Sequence, residues 1–121
     1  MTPQEQATQI IAELVLAIGR SVAKQTFPGV KLPRSREFGM ICGVIFLHEL
    51  RGVPLTLSHL GRCTQIPRAT LVRRVEQLKS RGMVERRGNH YRFIGALAPA
   101  HVRSLARAVV KAAEKLTVLD I

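Results

Sequence analysis

The chain has 121 residues, a length typical of one domain, and we expect residues 1–121 to fold as a single domain. Lys and Arg number 19 against 8 Asp and Glu, for a formal net charge of +11. This balance favours a polyanionic partner, with nucleic acid first and an anionic membrane surface second. The N-terminus lacks the pattern of a signal peptide, and the apolar run Phe38–Leu47 is too short to span a bilayer, so we expect a cytoplasmic protein.

The N-terminal segment predicts a helix over residues 1–26. Thr2 can cap it, Pro3 suits the first helical position, and Glu5 can complete a capping box. Its apolar residues recur at helical spacing and comprise Ile10, Ile11, Leu14, Val15, Ile18 and Val22. This stripe serves either the core of the chain or a dimer interface.

Proline and glycine predict a loop over Phe27–Arg34. Ser35 is expected to cap a second helix that continues to about Leu50. The middle of this helix is apolar on every face, which is typical of a helix buried among others. Gly39 and Gly43, four residues apart, are expected to let a neighbouring helix approach closely.

A helix-turn-helix pattern follows. Thr56 can cap a short helix from Leu57 to about Cys63. The segment Thr64–Ile66 makes a turn, and a second helix is predicted over Pro67–Ser80. Gly82 is expected to end that helix as its C-terminal cap.

Residues 83–94 alternate in polarity and contain Gly88-Asn89, a two-residue hairpin turn. Pairing across this turn places Glu85 opposite Arg92, where the two charges are expected to form a pair. The full predicted register is Arg87 with His90, Arg86 with Tyr91, Glu85 with Arg92 and Val84 with Phe93. The hairpin completes a predicted winged-helix core over residues 35–94.

Pro99 predicts the start of a last helix over residues 99–117. Its apolar stripe, again either core or dimer interface, comprises Val102, Leu105, Ala106, Val109, Ala113 and Leu116. A second, basic stripe is interpreted as a solvated face and comprises Arg103, Arg107, Lys111 and Lys115. The predicted fold class is therefore mainly α with a small β-hairpin wing: a winged helix-turn-helix flanked by N-terminal and C-terminal helices.

The positive charge is concentrated in the helix-turn-helix and the hairpin. Ten basic residues lie between Arg51 and Arg92, opposed only by Glu76 and Glu85. About a third of the chain thus carries +8 of the net charge of +11. A solvated surface would spread its charge and mix the signs, so this clustering favours a nucleic-acid partner.

The Pro67–Ser80 helix has a core side and an outer side. At 100° per residue, Arg73 projects furthest from the core side and is the best candidate to read guanine in the major groove. Arg74 lies between the two sides, so its stem is expected to pack while its head reaches out. The candidate DNA-binding residues are Arg68, Ala69, Thr70, Val72, Arg73, Arg74 and Gln77 on the helix, with Arg86, Arg87 and His90 on the hairpin.

The hairpin arginines Arg86 and Arg87 are predicted to contact phosphates or the minor groove, whereas Arg92 is expected to be held by Glu85. His90 lies close to arginines, which favours a phosphate over a metal as its partner. On the helix, Val72 can touch a thymine methyl group.

Residues 53–94 resemble the winged helix of bacterial transcription regulators. The residues that carry the resemblance are Leu55-Thr56-Leu57-Ser58, Leu60, the segment Thr64–Thr70, Arg73, Leu78, Gly82 and Val84. Within it, Ile66–Thr70 and Tyr91-Arg92-Phe93 are most similar to the DNA-binding domain of the IclR family. The surrounding architecture, with two helices before the motif and one after the wing, resembles the MarR family.

This resemblance implies a homodimeric regulator, often a repressor, that binds double-stranded DNA and is associated with the nucleoid when bound. The MarR resemblance implies that the two terminal helices form the dimer. A small-molecule effector is implied by this resemblance alone. The wing departs from the MarR pattern, because it is shorter, carries Gly88-Asn89 at its tip and has no Asp there.

Two other functions would use the same charge. One is low-specificity nucleic-acid binding, as in a chromosome-associated protein, and the other is a winged helix that binds an acidic protein partner. An enzyme is not expected, because Asp120 is the only Asp and no nucleophile motif or carboxylate pair appears.

No cofactor or metal is expected either. The histidines lie on different predicted elements, at His48, His59, His90 and His101. Cys42 and Cys63 are too far apart in sequence for a metal-binding motif. Cys42 lies in an apolar run and is interpreted as a small core residue.

Overall fold

The computed structural model describes all 121 residues. Five helices and a two-stranded antiparallel sheet follow one another along the chain. They are α1 (Pro3–Thr26), α2 (Leu32–Leu50), α3 (Leu57–Thr64), α4 (Arg68–Ser80), β1 (Val84–Arg87), β2 (His90–Phe93) and α5 (Pro99–Thr117). The predicted fold class, mainly α with a hairpin wing, is confirmed. None of the helices is both long enough and apolar enough to cross a membrane.

Residue contacts group the chain into two compact units. Unit 1 comprises Met1–Val30 and Leu97–Ile121, and unit 2 comprises Lys31–Ala96. Unit 1 therefore contains α1 and α5, whereas unit 2 contains α2, α3, α4 and the hairpin. That residues 1–121 form a single domain stays a prediction.

Unit 1 is an antiparallel pair of helices. The predicted capping box begins α1: Thr2 Oγ1 accepts a hydrogen bond from the Glu5 amide (3.1 Å), and the Glu5 carboxylate accepts one from the Thr2 amide (2.9 Å). Late in α1, Ser21 Oγ lies 3.0 Å from Nε2 of the buried His101, early in α5. Since the end of one helix meets the start of the other, α1 and α5 run in opposite directions.

The apolar stripes of unit 1 are only partly covered. Ala7 in α1 and Ala112 in α5 are buried, and α1 contacts α5. Several other apolar side chains remain exposed, namely Ile11, Val15, Leu16, Val102, Val109 and Val110. The α1–α5 contact therefore covers one part of each predicted stripe, and the remaining apolar side chains are exposed to solvent.

The helix α2 is the centre of unit 2, because α3, α4 and β2 all contact it. Phe38, Ile41 and Ile45 recur at spacings of three and four residues, and all three are fully buried. Their shared side of α2 forms the middle of the core of this unit.

The predicted start of α2 is wrong: the helix begins at Leu32, not after a cap at Ser35. Pro33 fits the first helical turn, where the backbone amide has no intrahelical partner and its loss costs nothing. Ser35 is buried inside the helix, and its hydroxyl donates to the Leu32 carbonyl (2.9 Å).

The prediction that α2 is buried on every face is also wrong. Met40, Phe46 and Leu47 are 44–47% exposed. A Cβ atom added to Gly43 would meet nothing within 4 Å, so the expected close approach of a helix does not occur there. An apolar sequence does not determine how many neighbours a helix has, and the three partners of α2 cover only part of its circumference.

The helix-turn-helix forms as predicted, with boundaries within one residue. Thr56 Oγ1 caps α3 by accepting a hydrogen bond from the His59 amide (3.2 Å). Gln65 follows α3 with φ of 57°, in the left-handed region, and reverses the chain. Pro67 lies at the N-cap of α4, one residue before the helix proper.

The end of α4 confirms the role predicted for Gly82. The Gly82 amide donates to the Lys79 carbonyl (3.0 Å), and the Met83 amide donates to the Leu78 carbonyl (3.0 Å). This pair of bonds is a Schellman motif, which needs a left-handed residue at this position. Gly82 has φ of 71° and supplies it without a steric penalty.

The hairpin has the predicted register in all four pairs. Gly88 has φ of 60° and is the only turn residue with positive φ, as a type II′ turn requires. The Tyr91 amide donates to the Leu55 carbonyl (3.2 Å), and the rings of Phe93 and Phe46 meet edge to face with centroids 5.8 Å apart. These contacts attach the hairpin to α2 and to the segment before α3.

We predict opposite effects of alanine at two glycines. Gly82→Ala places a side chain on left-handed backbone and should lower the free energy of unfolding by about 1–2 kcal/mol. Gly43→Ala adds a methyl group to a helix interior with open space around it, and should raise the same quantity by about 0.5–1 kcal/mol. Chemical denaturation measures both changes. A destabilising effect of Gly43→Ala would contradict the open space beside that residue.

Candidate nucleic-acid interface

The helix α4 has the two sides that its sequence predicts. Leu71, Val75 and Leu78 are at most 2% exposed. The opposite side is exposed and comprises Arg68, Ala69, Val72, Arg73 and Glu76, with Thr70 and Gln77 half-buried at its margins. A major groove is wide enough to admit a helix that presents such a side.

The start of α4 leaves backbone donors unpaired. Pro67 occupies the N-cap and provides no side-chain cap. The first intrahelical hydrogen bond runs from the Leu71 amide to the Pro67 carbonyl (2.8 Å). The amides of residues 68–70 therefore have no acceptor within the helix. Amides in this position bind phosphate groups at the N-termini of helices.

The head of Arg74 does not reach out, contrary to the prediction. Its Nε donates to Oε1 of Glu37 on α2 (2.9 Å), and its Nη1 donates to Oε1 of Gln77 (3.2 Å). The Arg74 side chain is only 15% exposed. The physical reason is the carboxylate of Glu37, which is 37 residues away in sequence and reaches Arg74 only because α2 packs against α4. Arg74 therefore ties α4 to α2.

The predicted pair of Glu85 with Arg92 does not form, although the two residues are opposite each other in the hairpin. Glu85 accepts a hydrogen bond from Arg87 on the same face of its own strand (2.8 Å). Glu49, at the end of α2, accepts from Arg92 Nε through Oε1 (2.8 Å) and from the Phe93 amide through Oε2 (3.2 Å). This carboxylate satisfies two donors of β2 at once, which Glu85 does not.

The two wing arginines, predicted to act alike, differ in their surroundings. Arg86 Nε donates to the Gly88 carbonyl (2.8 Å), so its charge at the wing tip has no acidic partner. Arg87 is paired with Glu85, in a pair exposed enough for solvent to weaken it. His90, opposite Arg87, is exposed.

The basic residues between positions 51 and 92 divide into engaged and free groups. Four are paired with carboxylates, Arg86 bonds a carbonyl, and Arg81 lies over the Phe38 ring at 5.6 Å. The four without a side-chain partner are Arg51, Arg62, Arg68 and Arg73. Two of these lie on the exposed side of α4, where their charge is available to a polyanion.

Side chains of two histidines and one cysteine meet between α2 and α3, although the sequence predicts His48 and His59 on different helices. One ring nitrogen each of His48 and His59 lies within 4.8 Å of the other and of Cys63 Sγ. His59 and Cys63 are four residues apart on α3, a spacing that the sequence could have shown. The approach of His48 follows only from the packing of α2 against α3.

The two cysteines have different environments. Cys42 is buried, as predicted, and burial raises the pKa of its thiol to about 12. It therefore stays protonated at neutral pH, and a protonated thiol is a poor nucleophile. Cys63 is exposed.

Comparison with known families gives one match. A model of the MarR family matches residues 44–98, which include α3, α4 and both strands. The match covers just under half of the chain and supports a MarR-type winged helix there, the DNA-binding unit of a family of transcription regulators. The likeness to the IclR family stays a prediction. No curated protein and no solved structure gave a match.

We predict one reactive thiol in the folded protein. With a chelator present, a thiol reagent at neutral pH should label Cys63 rapidly, whereas Cys42 should react only after unfolding. Mass spectrometry of labelled wild type and Cys63→Ser measures this difference. Rapid labelling of folded Cys63→Ser would show that the Cys42 thiol is accessible.

Proposed function

We propose that the protein is a sequence-specific regulator of transcription that binds double-stranded DNA through α4. The observation that carries the proposal is the pair Arg68 and Arg73, which have no side-chain partner and lie on the exposed side of a helix whose other side is buried. Free guanidinium groups need not break an ion pair before they contact a base or a phosphate. The MarR-family match over residues 44–98 supports the same function.

In the proposed complex, the N-terminal half of α4 faces the bases of the major groove. Arg73 donates two hydrogen bonds to O6 and N7 of a guanine, and Val72, 41% exposed, contacts a thymine methyl group. The free amides of residues 68–70 bind a phosphate, and the small side chain of Ala69 lets the backbone approach it. The predicted likeness of Ile66–Thr70 to the IclR family implies DNA contacts at Arg68, Ala69 and Thr70.

Arg74 and Gln77 act indirectly in this proposal. Their hydrogen bond and the Arg74–Glu37 pair set the position of α4 on α2. A shift of α4 would move Arg73 away from the base edge, so these residues support recognition without contacting DNA.

The hairpin adds contacts to the phosphate backbone. Arg86 is the principal contact, because no carboxylate neutralises it. Arg87 has to separate from Glu85 first and contributes less, while His90 donates to a phosphate from β2. The short turn limits the reach of the wing, so α4 carries most of the sequence preference.

We further propose that unit 1 forms the interface of a homodimer. At 100° per residue, Ile11 and Val15 lie to one side of the α1–α5 contact. On α5, Val102 and Val109 are rotated away from the contact in the same sense as Ile11 and Val15 are on α1. Because the two helices run in opposite directions, rotations in the same sense lead to the same side of the helix pair, so these side chains share one face. An exposed apolar face of this kind commonly marks a protein interface.

A two-fold dimer presents two copies of α4 to the duplex. The expected operator is then a palindrome, with half-site centres about 34–36 Å apart. A dimer bound there would exclude other proteins from the same stretch of DNA, so we propose that the protein represses transcription.

Selection from a random duplex library, followed by titration at about 50 and 200 mM salt, tests this function. We expect a palindromic consensus that binds at least ~10³-fold more tightly than random duplex. Equal binding to selected and random duplexes would indicate a low-specificity nucleic-acid binder. Absence of binding to any duplex would refute the proposal.

Arg73→Ala is expected to weaken binding to the selected duplex by about 1–3 kcal/mol and to relax the preference at one base pair. Arg86→Ala should weaken binding to selected and random duplexes alike. Titration by fluorescence anisotropy measures both effects. Arg107→Ala removes the same charge from an exposed position in unit 1 and is the matched control. If it weakens binding as much as Arg73→Ala, net charge and not α4 governs the affinity.

Val109→Asp should convert the proposed dimer to a monomer, because it places a charge in the apolar face. Sedimentation equilibrium measures the change. Val118→Asp is the matched control. Val118 is 81% exposed and directly follows the last residue of α5. At 100° per residue it lies about 160° from Val102, outside that face. The interface is refuted if the wild-type chain sediments as a monomer, or if both variants dissociate equally.

A further inference from the structure

The chain brings together one set of side chains with the composition of a transition-metal site. A ring nitrogen of His48, a ring nitrogen of His59 and Cys63 Sγ lie within 4.8 Å of one another. Imidazole nitrogen and thiolate sulfur are the ligands that Zn²⁺ prefers. We propose that His48, His59 and Cys63 bind Zn²⁺ and that the ion clamps α2 to α3.

The distances fit a site that closes around its ion. With Zn–N of about 2.0–2.1 Å and Zn–S of about 2.3 Å, tetrahedral ligand atoms lie ~3.3–3.6 Å apart. Side-chain rotations that bring the ligand atoms closer, from separations of up to 4.8 Å and therefore by at most about 1.5 Å, complete this arrangement. His59 and Cys63 project from one face of α3 at positions i and i+4, the spacing at which one helix can supply two ligands to a single ion.

A hydrogen bond prepares His48 for this role. Its Nδ1 lies 2.9 Å from the Val44 carbonyl oxygen. A carbonyl oxygen only accepts, so Nδ1 carries the proton of the neutral ring and Nε2 offers its lone pair. Metal-binding histidines commonly donate their other ring nitrogen to a carbonyl in this way. The ring of His59 stands edge to face against that of His48, with centroids 4.9 Å apart, which holds both rings at the site.

The site is accessible and has room for a fourth ligand. His48 and His59 are half-buried, whereas Cys63 is exposed. The ion can therefore enter from solvent, and a water molecule takes the fourth position, as in zinc sites with three protein ligands. Cys63 binds as the thiolate and its proton passes to the solvent. None of the three residues is a proposed DNA contact.

Titration of the reduced, metal-free full chain with Co²⁺ tests the site. We expect a thiolate-to-cobalt charge-transfer band and the visible bands of tetrahedral Co²⁺ to saturate at one ion per chain and to disappear when Zn²⁺ is added. Zn²⁺ should also protect Cys63 from thiol labelling and raise the melting temperature by about 5 °C. If only the weak spectrum of hydrated Co²⁺ appears, the cluster is a packing contact and the proposal is overturned.

Single substitutions locate the ion. Cys63→Ser should abolish the charge-transfer band, and His59→Asn should weaken Co²⁺ binding more than about tenfold. Because Cys63 is exposed, its replacement leaves the core intact. If the His59 variant unfolds, the loss of the charge-transfer band in Cys63→Ser still tests the site. His90→Asn, at an exposed histidine of β2, is the matched control and should bind Co²⁺ as the wild type does. Equal weakening by His90→Asn would show nonspecific binding by histidine and overturn the site.

The position of the site connects it to DNA binding, a step that rests on the proposed function. The helix α3 leads through Gln65 into α4, so an ion that fixes α3 also restrains the support of α4. Zn²⁺ should then tighten binding to the selected duplex about tenfold in the wild type and not in Cys63→Ser. Cobalt bands without any duplex binding would refute DNA binding alone, and duplex binding without cobalt bands would refute the metal site alone. Cobalt bands with an unchanged duplex affinity would refute the coupling.

Discussion

The buried side of α2 is the constraint on which unit 2 depends. Phe38, Ile41 and Ile45 are removed from water while three other elements contact the same helix. Burial of side chains of this size contributes about 1.5–3 kcal/mol each, so the side of α4 that packs inward is strongly determined. The outward direction of Arg73 is a consequence of this packing, because the apolar residues of α4 occupy the inward side. The exposed side of α4, which is the proposed DNA-binding surface, is therefore specified by the core beneath it.

The same helix also decides which positive charges remain free. Its two carboxylates, Glu37 and Glu49, engage Arg74 and Arg92. Pairs as exposed as Arg92–Glu49 contribute little to stability, so their main effect is on position and on the distribution of charge. With Arg74 and Arg92 engaged by these carboxylates, two of the four basic residues without a side-chain partner, Arg68 and Arg73, lie on the exposed side of α4. The carboxylates of α2 therefore influence which arginines are available on that side.

Features set by residues close in sequence were predictable. The capping box at Thr2, the hairpin register and the end of α4 at Gly82 each depend on a few adjacent positions. Contacts between residues far apart in sequence could not be predicted. Arg92 and Glu49, for example, are 43 residues apart and form their ion pair only when β2 packs on α2. The His48–His59 contact was missed for the same reason. For the candidate site, the pattern of α4 predicted its exposed side correctly, whereas which arginines are free depended on carboxylates brought in by the fold.

Unit 1 consists of two segments that are separated in sequence by the whole of unit 2. Ser21 and His101, which join its two helices, are 80 residues apart. On a ribosome α1 emerges before unit 2, while its partner α5 is made only afterwards. A continuous segment such as unit 2 can form its contacts during this interval, whereas the contact between α1 and α5 forms only after α5 has been made. In the nascent chain, α1 is therefore the segment on which a chaperone would act for longest.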